Sequence, residues 1–179
     1  NADLSNEGLL VPPPLLTAVT VDVTRISTSE VTSNTVNNIA LPVPANCHIG
    51  DIILVFIFSE DADAHTFAAA DFTLLDSQIT NGNLRTRVGW KTFAGETADY
   101  AITNGAVTVD EFAAFAVAYR NVSDGGTTIN TSATANDNTS PYATPSITTT
   151  ADRCMIVAGM FRTDATATTV PSGWTAVGD

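Results

Sequence analysis

The run from Ile52 to Phe58 limits the possible folds of this chain more than any other feature. Seven apolar residues follow one another there, bounded by Gly50-Asp51 before and Ser59-Glu60 after. A buried helix needs roughly 10–12 residues, and the β-branched and aromatic content of this run favours a strand. A strand that is apolar at every position has no face for water, so it must be packed on both sides inside a layered structure. Residues 112–119 and 154–161 form two further apolar runs. The first of these is Ala-rich, and a helix competes for it. Its short span between Glu111 and Arg120, with no convincing cap, favours a strand.

The remaining signals are also those of strands. Val19, Val21 and Val23 alternate with Ala18, Thr20, Asp22 and Thr24, the period-two pattern of a half-buried strand. The pattern loosens into Ser and Thr from Arg25 to Glu30, and residues 31–43 read as extended. Short strands are expected at residues 72–77, 85–93, 100–103 and 175–177, with a further one around residues 127–131. Asn81-Gly82-Asn83 is a hairpin signal. The chain carries 28 threonines, and charged residues make up only 15% of it, a composition suited to sheets. The expected fold class is all-β: an antiparallel β-sandwich, jelly-roll-like, with an extended N-terminal arm. Its 179 residues suit one domain, placed at residues 15–179, with the arm at residues 1–14.

Two stretches look alike. Residues 51–58, an acidic loop and residues 71–76 parallel residues 154–161, a polar loop and residues 173–178. Each reads as a central strand, a loop and an aromatic-Thr strand. The second copy stops at Asp179, so the reading expects either further C-terminal strands or completion by the strand of Val19, Val21 and Val23, in cis or from a neighbour.

Nineteen acidic residues against seven basic ones give a net charge of −12. The basic residues Arg25, Arg85, Arg87, Lys91, Arg120, Arg153 and Arg162 form no stripe, which argues against a nucleic-acid partner. No apolar run approaches the roughly 20 residues of a membrane helix, and no membrane partner is expected. Cys47 and Cys154 lack any Cys-x-x-Cys spacing and read as two separate thiols. Pro12, Pro13 and Pro14 exclude helix and central strand, which makes Leu9, Leu10, Val11 and these prolines an extended contact arm.

Several segments together resemble a family of bacteriophage virion structural domains found in tail appendages and in head-decoration or head-fibre proteins. They are Pro44-Ala45 with Gly50-Asp51-Ile52-Ile53-Leu54-Val55, the turn-strand Asp71-Phe72-Thr73-Leu74-Leu75-Asp76-Ser77, and Val88-Gly89-Trp90-Lys91 running on through Ala94-Gly95 to Tyr100. They continue with Ala116-Val117-Ala118-Tyr119-Arg120-Asn121-Val122, then Thr144-Pro145-Ser146-Ile147-Thr148-Thr149-Thr150, and finally Pro171-Ser172-Gly173-Trp174-Thr175. The resemblance covers about residue 36 to the end and leaves the arm outside. It implies a β-sandwich in a virion and a protein that works by protein–protein contacts. The partners it implies are a major capsid or tail protein and further copies of the chain itself, a trimer being the guess.

Catalytic signals are absent from the sequence. His48 and His65 are the two histidines, and no nucleophile elbow, zinc-protease or phosphate-loop motif occurs. The expectation is a non-enzyme with no cofactor. Asp61, Asp63 and His65 share one side of an extended segment and are the only weak metal candidates, set against the plainer reading of a solvated loop. Trp90 and Trp174 could stack on sugar rings, as a receptor-recognition module of a tail fibre would require, although core packing is the preferred reading. A strand-donating extracellular filament subunit, with residues 16–23 as donor, is the third reading.

Overall fold

A computed structural model describes residues 22–60, 67–69, 71–81, 84–105, 111–122, 129–133, 145–150, 154–159, 169–170, 172–173 and 175–176. Among these there is no helix. The strands are β1 (Thr24–Ser33), β2 (Asn38–Leu41), β3 (Ile52–Glu60), β4 (Phe67–Ala68), β5 (Thr73–Asn81), β6 (Leu84–Thr92), β7 (Tyr100–Asn104) and β8 (Glu111–Arg120). They form a five-stranded sheet in the order β1-β8-β3-β6-β5 and a three-stranded sheet in the order β2-β7-β4. Every pairing is antiparallel.

The order has a simple origin. First pairs with eighth, second with seventh and third with sixth, as though one long hairpin had been rolled into two layers. That is the jelly-roll arrangement. The departure is β5, which stays beside β6 at the edge of the large sheet and does not join β4. The short connection explains it: Asn81 pairs with Leu84, so only residues 82 and 83 lie between the two strands.

Strand alternation divides the apolar residues between two cores. Ile53, Val55 and Ile57 of β3 face the three-stranded sheet, where they meet Ile39, Leu41, Tyr100 and Ile102. Leu54 and Phe56 face the other way, into a second cluster with Val117 and Tyr119. The sheet is therefore packed on both faces, as the continuous run predicts. The alanines of β8 have a steric reason. Ala118, Ala116 and Ala114 lie opposite Ile53, Val55 and Ile57, so small residues on one strand make room for branched ones on the next. The Ala-rich run is a strand, as expected.

Four expectations are corrected or refined, and Val19 and Val21 of the first expected strand lie outside the described residues. The first described strand runs from Thr24 to Ser33, through the stretch whose pattern loosens. Its serines are held by the second layer: the Ser27 and Ser29 hydroxyls donate to the carbonyls of Ala45 and Pro42. Next, β5 extends to Asn81, well past Ser77. Residues 129–131 carry no strand. Finally, neither residues 154–159 nor residues 175–176 are in a strand, so the second copy of the repeat is not built as one among the described residues. Residues 154–159 cover the outer sheet face instead, with Val157 in the second cluster and Gly159 so close to the Phe56 ring that an added Cβ would lie 2.5 Å from it.

Candidate functional site

The most tightly organised polar cluster joins one end of β3 to one end of β8. Gly50 turns the chain at a φ of 96°, a left-handed conformation natural to glycine, and delivers Asp51 to the mouth of the sandwich. Asp51 is 3% exposed. Arg120 grips its carboxylate with two parallel hydrogen bonds, Nε to Oδ1 at 2.9 Å and Nη2 to Oδ2 at 2.8 Å. The His48 amide donates to Oδ2 at 2.7 Å, and Arg120 Nη2 also donates to the Asn46 carbonyl at 3.0 Å. Asp51 further accepts the Phe93 amide on its main-chain oxygen at 2.7 Å. The hydrogen bonds from Arg120 hold the Asp51 carboxyl below its ordinary value, aided by the His48 amide. A carboxylate that accepts three hydrogen bonds, two of them from a guanidinium, is a poor general base. The cluster ties residues 46–51 to β8 and to the end of β6.

A second cluster sits beside it. Lys91 pairs with Glu96, and its ammonium lies 4.7 Å from the Tyr100 ring centre and 5.8 Å from that of Phe72. The two rings meet edge to face at 5.0 Å. Glu96 also accepts the Ala94 amide at 3.0 Å, which closes the turn after β6. The Tyr100 hydroxyl is buried and has no hydrogen-bond partner among the described residues. Burial, followed by the nearby Glu96 charge, pushes its pKa up, so it is not an acid for ordinary pH. Burial likewise raises the half-buried Cys47 thiol, with Asp51 adding to the shift, which is the opposite of an activated nucleophile. The orphaned hydroxyl predicts that Tyr100→Phe is neutral or stabilising by up to about 1 kcal/mol, because a buried group with no partner is removed and the ring packing is kept. Thermal unfolding of the variant checks this, and a clear loss of stability would reveal a partner for the hydroxyl.

The expected site residues fare differently. Trp90 is half-buried on the outer face of the large sheet, opposite Leu54 and Thr73, and packs against the second cluster. This placement fits the core-packing reading. Val23 packs against the same cluster, so it serves the chain's own core. Leu9, Leu10, Val11, Pro12, Pro13, Pro14, Val19, Val21, Asp61, Asp63, His65 and Trp174 lie outside the described residues. No group of three metal-ligating side chains occurs among the described residues, and no helix there is long and apolar enough to cross a membrane. Sequence reasoning did not pair Asp51 with Arg120, which are 69 positions apart. The available signal was a Gly-Asp turn opening the most apolar strand and a single Arg closing another.

No protein-family model, no curated protein and no solved structure matches this chain.

Proposed function

We propose that this chain is a non-enzymatic structural protein of a bacteriophage virion. It serves as a capsid-decoration, head-fibre or tail-appendage component and works through protein–protein contacts. The observation that carries the reading is the rolled-hairpin strand order, first with eighth, second with seventh and third with sixth, an architecture used repeatedly for virion surfaces. A fold alone does not define a role. Support beyond the fold comes from what the polar clusters are for. Among the described residues, Asp51 with Arg120 and Lys91 with Glu96 are each engaged in bracing a turn. The strongly acidic, threonine-rich composition suits an exposed particle surface.

In this reading Leu9 to Pro14 anchor the chain to a capsid or tail protein. The test is immunogold labelling and mass spectrometry of density-banded particles from the source culture. The protein should band with particles. Finding it only in the soluble fraction would end the reading. Removing residues 1–14 should release it from particles, and retention would shift the anchor elsewhere on the chain.

A further inference from the structure

We propose that two copies of this chain associate edge to edge through β1, about a two-fold axis beside Thr28, so that one sheet runs through both. β1 is the outermost strand of the large sheet. One side pairs with β8 along its length, and the other has no strand partner among the described residues. Ten residues of edge backbone invite another strand unless guarded by lysine, proline or a bulge. The segment Thr24–Ser33 contains neither lysine nor proline. Its one irregularity lies near its start, between Arg25 and Ser27. The opposite edge, β5, is broken in mid-strand by a register shift between Leu75 and Ile79 and is the poorer template.

Charge selects the partner and the register. Arg25 and Glu30 are the two charged residues of β1, and both are exposed. They lie opposite Tyr119 and Phe115, and Thr28 between them lies opposite Val117. These three β8 residues belong to the outer-face cluster, so Arg25, Thr28 and Glu30 share the outer face. Neither charge has an ion-pair partner among the described residues; the Arg25 guanidinium reaches only the Ala176 carbonyl, at 3.5 Å.

A two-fold axis perpendicular to the sheet keeps both outer faces on one side. With Thr28 facing Thr28 of the second copy, Ser27 faces Ser29, and Glu30 faces the bulge at Arg25 and Ile26. The pairing is repeated by symmetry, so both charges of each copy find opposites. Moving the axis to Glu30 would set glutamate against glutamate, so the charges single out one register.

The test is light scattering across a dilution series of the chain, with charge reversals. The wild type should be a dimer that dissociates on dilution. Glu30→Arg and Arg25→Glu should each weaken it at least about tenfold, because two attractive pairs become two repulsive ones. The double reversal should restore the Kd to within about threefold. Both side chains are exposed, so unchanged melting temperatures at dilutions where every variant is monomeric separate association from folding. A monomer at every concentration, a trimer, or a dimer indifferent to these reversals overturns the proposal. The pairing rests on the strand edge and not on virion location, so a dimer never found in particles would remove the proposed function and leave this inference standing.

Discussion

Asp51→Ala should lower the unfolding free energy by about 3 kcal/mol, the low end of the scale for breaking a buried ion pair, because the Arg120 side chain is 30% exposed. For a chain of this length that corresponds to a fall in Tm of roughly 6–12 °C. The loss has three parts. Arg120 loses its bidentate partner, the His48 amide loses its acceptor, and the turn at residues 46–50 is no longer tied to β8. Asp51→Asn is the informative control, since it keeps the shape and one acceptor oxygen but removes the charge. The pH dependence follows with a definite sign. The folded carboxyl titrates below the unfolded one, mainly because Arg120 hydrogen-bonds its charged form. The unfolded state therefore binds the proton more readily. The contribution is fully present above the ordinary carboxylate pKa of about 4 and is lost as pH falls through the lower folded value. Denaturant midpoints from pH 7 down to pH 2 should show the wild type losing more stability than Asp51→Asn. Parallel curves would mean that the ion pair contributes nothing.

Phe112→Ala should be at least as damaging, at about 4 kcal/mol. Phe112 is fully buried between the sheets. Phe115 lies three residues along the same strand, on the outer face and half-buried. Its replacement by Ala should have about half the effect, because part of that ring already meets water. The contrast tests the strand register directly. A helix over these residues would place positions 112 and 115 on one face and make the two losses similar. Urea unfolding of both variants, with unchanged m-values, separates the outcomes.

Much of the large sheet was legible because its signals are local. The apolar run of β3, the Asn81-Gly82-Asn83 hairpin signal before the Asn81–Leu84 pairing, and the Thr-rich low-charge composition each report on nearby backbone. β1 was less legible for the opposite reason. Its Ser and Thr residues carry no hydrophobic pattern. The strand is held by β8, by Ser27 and Ser29 bonding across to the β2–β3 connection, and by Ile26 and Val31 reaching the core. The second copy of the repeat failed in the same way. Residues 154–159 have the composition of a strand, but they lie over the outer face of the large sheet, with Val157 in its cluster.

The sites divide along the same line. Gly50 and Asn121 both adopt left-handed backbone conformations, at φ values of 96° and 62°. Both residue types tolerate that region, so the two turns could be located from residue type alone. That these turns sit at the two ends of one ion pair could not be inferred that way. By itself, the sequence determined that the chain is all-β, that one strand is packed on both faces, and where several strands turn. Those properties follow from side-chain polarity and backbone preference over a few residues. Only the tertiary structure decided which strands are neighbours, which polar groups are matched, and which strands are outermost among the described residues. Each of these joins residues tens of positions apart, and the free energy that selects them arises only once the two layers close over a shared core.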